Sequence, residues 1–293
     1  FLSAAGADIG ELNTVRKQLS RIKGGGLARA CRAGQLLALV ISDVLGDPLD
    51  LIASGPTMED RSTPQKALAI LQKFGATVSD VPQAVLDALS RQAAKRPAAT
   101  QNLVLNSCRV QNIIIGNNAT AVDAAGMEAE RLGYLHAMTC AAKPEGAVEQ
   151  IGRHLADMAL HMQATQGPNC LISGGEGTVK LVPAAQRGVG GRNQQTVLSA
   201  MLRLMETEPQ GLADAEFVIL SGGTDGEDGP TDAAGAIIDR EVMAAAQRLK
   251  LDAAAVLARN DAYNFFEPMG ALVKTGATGT NVCDLRVVLV GRK

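Results

Sequence analysis

The sequence predicts an α/β fold in two domains, residues 1–167 and 168–293, with one large α/β domain as the alternative. Apolar runs that are typical of buried strands alternate with amphipathic stretches that are typical of helices. Several of these runs are followed by glycine-rich loops. The chain has 293 residues, which is enough for two hydrophobic cores. A Gly-Pro pair at 167–168 follows a long helical stretch and marks the domain boundary.

The elements of the first domain follow from capping residues and apolar runs. Asp8 and Glu11 resemble a capping box and predict a helix over 8–22, which the glycine run at 24–26 ends. The β-branched run at 110–115, the alanine-rich stretch after it and the run at 135–140 predict a βαβ unit. The remaining predictions are a strand at 35–42, helices at 64–74, 82–92 and 145–166, and a polar connection at 91–102.

The second domain reads as short strands separated by glycine-rich loops. The run at 216–220 predicts a buried parallel strand, and a small-residue helical stretch is expected from about Thr231. Further strands are predicted at 169–172, 178–182 and 285–290, and further helices at 192–205, 240–250 and 252–259.

The loop SGGTDGEDGPTDAAG at 221–235 is the principal candidate site. The loop carries four carboxylates, those of Asp225, Glu227, Asp228 and Asp232. These carboxylates repel one another unless a cation neutralises them or hydrogen-bond donors bind them. A loop that leaves the carboxyl end of a parallel strand lies where open α/β sheets bind ligands. Oxygen-rich loops suit Mg²⁺, so the loop predicts a metal or phosphate site, with a solvated acidic loop as the alternative.

Two other loops carry groups that suit an anion. Arg192 falls in the first turn of a predicted helix, where unpaired N–H groups and the helix dipole favour negative charge. The glycines in SGGEG at 173–177 resemble a phosphate cradle, although the segment lacks the endings of a P-loop or a dinucleotide loop.

Two further segments remain open to two interpretations. A basic helix face that ends at Lys23 beside three glycines suits an anion, or is a solvated face with a glycine cap. The loop containing Asp43 and Asp47 either lines the same crevice or is an ordinary turn.

Composition argues against several classes of partner. The net charge is −2 and there is no Trp, so neither a nucleic acid nor a membrane surface is expected as a partner. The five cysteines have no CxxC spacing and the three histidines are scattered, which favours a reducing compartment. We expect a cytoplasmic protein, with a mitochondrial location and homo-oligomerisation left open.

Glycine-rich loops, carboxylates for a hard cation and basic residues near helix ends are the parts needed to transfer a phosphoryl group. Six stretches of the chain resemble the glycerate kinases of the MOFRL type. In chain order they are NTVRKQLSRIKGGGLA (13–28), SDVLGDPLDLIASGPT (42–57), SGGE (173–176), GGRNQ (190–194), SGGTDGEDGPTDAAGA (221–236) and TGATGTNVCDL (275–285).

The resemblance implies ATP- and Mg²⁺-dependent phosphorylation of the 2-hydroxyl of D-glycerate. It also implies a three-layer Rossmann-like domain, incomplete at its N-terminus, followed by a smaller C-terminal α/β MOFRL domain. The implied catalytic residues are Arg192, Asp225 and Asp228, with Asp225 and Asp228 also binding the metal. The implied substrate- and phosphate-binding residues are Lys23, Ser173, Gly174, Gly175, Glu176, Asn193 and Asp232.

The chain departs from this family at its beginning. Family members carry about a hundred further N-terminal residues, with a lysine thought to be catalytic, so we expect this chain to be inactive alone or to oligomerise through an exposed sheet edge. A truncated form that binds nucleotide or glycerate without turnover is the alternative. A hydroxypyruvate reductase is less expected, because no GxGxxG motif follows a strand.

Overall fold

The computed structural model describes residues 1–77, 80–94, 108–207 and 216–291. These residues form two compact units. The N-terminal unit comprises Phe1–Val40 and Asp47–Ile115, and the C-terminal unit comprises Ile41–Gly46 and Gly116–Lys293. The predicted connection at 91–102 begins inside a helix and then runs outside the described residues.

The N-terminal unit is built mainly from helices around a small apolar core. Its elements are α1 (Ile9–Leu19), α2 (Gly26–Ala30), β1 (Gln35–Ile41), a 3₁₀ turn (Ile52–Ser54), α3 (Pro64–Lys73), α4 (Gln83–Ala94) and β2 (Arg109–Gly116). The predicted capping box is confirmed, because Asp8 accepts the Glu11 N–H and Glu11 accepts the Asp8 N–H. The core contains Val15, Ala67, Leu71 and Leu89.

The C-terminal unit carries the larger sheet and the longer helices. Its elements are α5 (Asn118–Arg131), β3 (His136–Cys140), α6 (Val148–Ala164), β4 (Cys170–Gly175), α7 (Arg192–Thr207), β5 (Phe217–Gly223), β6 (Gly235–Asp239), α8 (Arg240–Arg248), α9 (Ala253–Ala258), α10 (Ala262–Phe266), a 3₁₀ turn (Glu267–Met269), β7 (Leu272–Val273) and β8 (Asp284–Val290). The sheet order is β3-β4-β8-β5-β6-β7, and β3 and β4 pair in parallel. The mixed α/β fold predicted from the sequence is confirmed.

Several predicted elements were wrong. β5 is antiparallel to both of its neighbours, β6 and β8, rather than part of a parallel sheet. The small-residue stretch expected to be helical contains β6, because Ala236 and Ile238 pack into the core while Asp239 caps α8. The strand expected at 178–182 is reduced to a single bridge between Thr178 and Ala147. β2 and β3 belong to different sheets, so they do not form the expected βαβ unit.

The division into compact units differs from the predicted boundary at 167/168. β3 pairs with β4, and α6 packs along α7, so residues 116–167 belong to the C-terminal unit. Gly152 permits this close helix packing, because a Cβ there would overlap the Thr196 carbonyl. The predicted domain boundary at 167/168 stays a prediction.

The two faces of the six-stranded sheet are covered by different helices. Val122 and Ala129 of α5 pack against Cys170 and Ile172 on one face. Helices α6 and α7 cover the other face and build the main core, which includes Val288 and Val290 of β8. Since side chains alternate along a strand, Asp284 and Arg286 also face α6 and α7. β8 therefore brings two charged side chains to the buried face, between the carboxyl ends of β4 and β5.

Candidate active site

The N-terminus of α7 is capped by a buried carboxylate from the loop after β5. Oδ1 of Asp228 accepts the Asn193 N–H at 3.0 Å, and Oδ2 accepts the Gln194 N–H at 2.8 Å. Gly191 permits this approach, since a Cβ there would overlap the Asp228 carboxyl group. Burial raises the pKa of Asp228 to about 6, although the N–H donors favour the ionised form. Two of the N–H groups that the sequence suggested for an external anion, those of Asn193 and Gln194, are therefore bonded to Asp228.

Arg192 lies between two carboxylates at the same helix end. Its Nε and Nη2 donate to Oδ1 of Asp284 at 3.1 and 3.0 Å, and its Nη1 donates to Oε1 of Glu176 at 2.5 Å. Burial alone lowers the pKa of Arg192, but the charges of Asp284 and Glu176 outweigh burial and raise it above the ordinary value. The guanidinium is thus permanently charged and held in one orientation.

Asn193 connects these groups to the strands beneath them. Its Nδ2 donates to Oδ1 of Asp284 at 3.0 Å, and its Oδ1 accepts the Ser221 hydroxyl at 2.5 Å. Both Asn193 and Ser221 are buried. Since Asp284 lies opposite Gly175 and Gly223 in the sheet register, the network joins the ends of β4, β8 and β5.

The glycines of the SGGE segment make room for protein side chains. A Cβ at Gly174 would overlap Oδ1 of Asn118, and a Cβ at Gly175 would overlap Oε2 of Glu145. Asn118 in turn donates to the carbonyls of Val282 and Asp284, at 2.7 and 3.0 Å, and fixes the start of β8. The close approach predicted for a phosphate is thus used internally by Asn118 and Glu145, while Ser173 lies buried on β4.

Sequence reasoning missed three charged residues of this network: Glu145, Asp284 and Arg286. Arg286 is buried and donates through Nη1 and Nη2 to the two Glu145 oxygens, at 3.0 and 2.7 Å. The sequence did contain a pattern that indicates them, because Asp284 and Arg286 stand at alternate positions of an otherwise apolar strand, DLRVVLV, and so share one face of it. Charges on the buried face of a strand are expected only where they are paired.

The loop at 221–235 does not gather all of its acidic residues at one point. Asp228 caps α7, whereas exposed Asp232 pairs with Lys274 at 2.9 Å and accepts the Tyr263 hydroxyl at 2.8 Å. The hydrogen bond from Lys274 lowers the pKa of Asp232 below its ordinary range. Asp225 is half-buried, and its backbone carbonyl accepts the Thr278 N–H, which joins this loop to the glycine-threonine loop at 274–281.

The predicted metal ligands differ in how well they fit Mg²⁺. In the part of the chain that the structure describes, no group of three or more His, Cys, Asp or Glu side chains is arranged to hold a metal. Both oxygens of Asp228 accept backbone N–H groups. Asp225 uses Oδ1 for the Glu227 N–H at 3.1 Å and is the better candidate, because Mg²⁺ commonly takes one or two carboxylates together with phosphate oxygens.

Lys23 and Asp43 lie in different compact units. Lys23 belongs to the N-terminal unit, where its Nζ donates to the Ala53 carbonyl at 3.1 Å. The neighbouring Gly24 and Gly25 N–H groups donate to the carbonyls of Ser54 and Gly55, and Gly26 donates to Lys23. A phosphate role for Lys23 stays a prediction.

Asp43 belongs to the C-terminal unit, and its carbonyl accepts the Cys283 thiol at 3.1 Å. Burial, together with the charges of Glu176 and Asp284, raises the pKa of that thiol to about 12. The Asp43 backbone thus lies beside Cys283, the residue before Asp284, and the role of this loop in lining a crevice stays a prediction.

Two family models and several known proteins match this chain. Residues 169–284 match the MOFRL family, and residues 1–90 match a domain of unknown function, DUF4147. The chain is 39% identical to a glycerate kinase of Macaca fascicularis, over 99% of this chain and 81% of the relative. It is 37% identical to a D-glycerate 2-kinase of Thermotoga maritima, over 99% of this chain and 64% of the relative.

The solved structures show the same fold. A crystal structure of a Thermotoga maritima glycerate kinase matches with a TM-score of 0.80 at 36% identity, over 99% of this chain and 65% of that one. The chain belongs to the MOFRL-type glycerate kinase family. The chain spans 64% of the Danio rerio glycerate kinase and 61% of the Mus musculus one. Of the helices described, none is long and apolar enough to cross a membrane.

Proposed function

We propose that this protein transfers the γ-phosphoryl group of ATP to the 2-hydroxyl of D-glycerate and forms 2-phosphoglycerate. The observation that carries the proposal is the charged, half-exposed guanidinium of Arg192, fixed by Asp284 at the ends of β4, β5 and β8. Relatives named glycerate kinase and D-glycerate 2-kinase align with nearly the whole chain and support this choice of reaction.

The proposed role of Arg192 follows from its geometry. Phosphoryl transfer needs positioned positive charge more than covalent help from the protein. A guanidinium held by a buried carboxylate does not have to reorganise when negative charge develops on the transferring group. Arg192 would therefore bind either the substrate carboxylate or the transferring phosphate.

We propose ATP as the phosphoryl donor and Mg²⁺ as the metal cofactor of this reaction. When bound, the metal would neutralise charge on the phosphate oxygens, and Asp225 would be its protein ligand. Thr278 and Glu227 hold the Asp225 backbone and side chain in place. Ser173, Asn193 and Asp232 stay proposed contributors to substrate and phosphate binding.

The test is ATP consumption with D-glycerate and Mg²⁺, with the product isomer identified by NMR. The Thermotoga maritima enzyme serves as the positive control for the assay. The assay is run on this chain and on a version extended by the N-terminal region of its relatives, and in the form that makes product we expect Arg192→Met to lower kcat/KM at least about 100-fold, because it removes a charge from the transition state. Arg187→Met is the matched control, since Arg187 is an exposed arginine five residues earlier, and we expect a change below about twofold.

The outcomes separate the candidate functions. Formation of 2-phosphoglycerate that depends on Arg192 supports the proposal. Binding of D-glycerate or ATP without product supports a non-catalytic binding form. NADH-dependent reduction of hydroxypyruvate in place of phosphorylation would establish a reductase and contradict the proposal.

We further propose a reducing location, cytoplasmic or mitochondrial. The five cysteines have no CxxC spacing, and three of them, Cys108, Cys170 and Cys283, are buried. Homo-oligomerisation stays a proposal, to be tested by light scattering.

A further inference from the structure

The two carboxylates that hold Arg192 differ strongly in burial. The Asp284 side chain is 2% exposed, contacts Nε and Nη2 of Arg192, and also accepts Nδ2 of Asn193. The Glu176 side chain is 41% exposed and meets the guanidinium only through Nη1. Exposed ion pairs are weak because water competes for both partners, whereas a buried and doubly bonded pair persists. Asp284 is therefore a fixed anchor, and Glu176 is a partner that can exchange.

We propose that Glu176 occupies the anion-binding position of Arg192 in the ligand-free protein and is displaced by the carboxylate or phosphoryl group of the substrate. Asp284 keeps hold of the other side of the guanidinium during this exchange. The proposal rests on the proposed function only for the identity of the anion. The exchange itself follows from the contacts and burial of the three side chains.

Displacement is required by the local charge. One guanidinium faces two carboxylates, and the Asn193 and Gln194 N–H groups in the first turn of α7 are already bonded to Asp228. An anion that arrived while Glu176 stayed in place would meet two negative charges and one positive charge. When Glu176 turns into solvent, Nη1 becomes available and the charge at the position is balanced.

The exchange makes Glu176 a specificity-determining residue. An incoming anion binds only if its hydrogen bonds to Arg192 exceed those lost by Glu176. Carboxylate and phosphate oxygens match a guanidinium in geometry and charge, whereas a spherical anion such as chloride does not. Removing the charge of residue 176 should therefore tighten anion binding and lower this selectivity.

The experiment measures dissociation constants by calorimetry, without nucleotide or metal, for inorganic phosphate and for D-glycerate in separate titrations. We expect Glu176→Gln to bind both anions about three- to tenfold more tightly than the unaltered protein. Glu227→Gln is the matched control, because it removes one exposed carboxylate from the loop after β5, and we expect less than a twofold change. In the double variant Glu176→Gln/Arg192→Met, the gain should disappear.

Each outcome decides between the two proposals. Weaker or unchanged binding in Glu176→Gln overturns the displacement and makes Glu176 a direct substrate contact or a bystander. Failure of both anions to bind the unaltered protein and Glu176→Gln also overturns it, since the freed guanidinium must attract them. Tighter phosphate binding without any D-glycerate binding supports the displacement and contradicts the glycerate kinase proposal. D-glycerate binding to the unaltered protein without tighter binding to Glu176→Gln contradicts the displacement and supports the glycerate kinase proposal.

Discussion

Asp228 is a buried carboxylate whose ionised form is held by N–H groups from the first turn of α7. Burial raises its pKa from an ordinary 3.8 to about 6, so the folded protein takes up a proton more readily than the unfolded chain. The stabilisation from this protonation is complete below about pH 3.8 and is lost as pH rises through about 6. We therefore expect the Asp228 contribution to the free energy of unfolding to decrease over this interval.

The measurement is urea unfolding at several values between pH 4 and pH 7, with EDTA present to exclude metal effects. Asp228→Asn cannot titrate, so the free energy of unfolding of the unaltered protein should fall relative to this variant by on the order of 2 kcal/mol. Asp225→Asn is the control, because it removes a nearby carboxylate and keeps the Asp228 cap. Parallel pH profiles for the unaltered protein and Asp228→Asn would show that this interpretation is wrong.

At the scale of elements, β8 carries an ion pair into the interior of the sheet. Arg286 is 2% exposed on its side chain, and Glu145 is 24% exposed. Among the described residues the Nε atom of Arg286 has no hydrogen-bond partner, and both Nη atoms donate to Glu145, which supplies the opposite charge. Glu145→Gln leaves a buried positive charge, and we expect it to lower the free energy of unfolding by about 3 kcal/mol in urea titrations.

The companion variants of this pair follow from its unequal burial. Arg286→Met should cost less than Glu145→Gln, because the remaining Glu145 can turn towards solvent. The double variant Glu145→Gln/Arg286→Met should be more stable than Glu145→Gln alone, since no unpaired charge remains in the interior. Additive effects of the two substitutions would contradict a direct pairing.

The elements also show what could be predicted from the sequence. The cap of α1 and the strands β4 and β8 depend on neighbouring residues, and they were located to within a few positions. β6 was missed because its four small or apolar residues, Gly235 to Ile238, suit either helix or strand, and its pairing with β5 depends on contacts outside this segment.

In the candidate site, too, the features set by neighbouring residues were predicted and those set by residues distant in the sequence were missed. The segment containing Arg192 and Asn193 was found from its position in the first turn of a predicted helix, whereas the role of Asp284 depends on β8 lying between β4 and β5. That strand order joins residues about a hundred positions apart, and no local pattern specifies it. The SGGE glycines were identified, but the Asn118 and Glu145 side chains that fill their space come from other elements.

At the scale of the whole molecule, the described residues form two compact units with cores of unequal size. Val15, Ala67, Leu71 and Leu89 make up the fully buried apolar cluster of the N-terminal unit. The main cluster of the C-terminal unit draws on α6, α7 and the three strands β5, β6 and β8. Since hydrophobic burial is the main source of stability, we expect the N-terminal unit to unfold at a lower denaturant concentration than the C-terminal unit.

Two matched substitutions test this order of unfolding. Leu71→Ala and Leu198→Ala each remove a buried leucine side chain, one from each unit, and each should cost about 2–5 kcal/mol. Hydrogen exchange followed by mass spectrometry in increasing urea should show that Leu71→Ala accelerates exchange in α1, α3 and α4 and leaves β4, β5 and β8 unchanged. Leu198→Ala should lower protection in the six-stranded sheet, because α7 packs directly on it. If either substitution instead accelerated exchange equally in both units, the protein would unfold as a single cooperative body and the two cores would not be energetically separate.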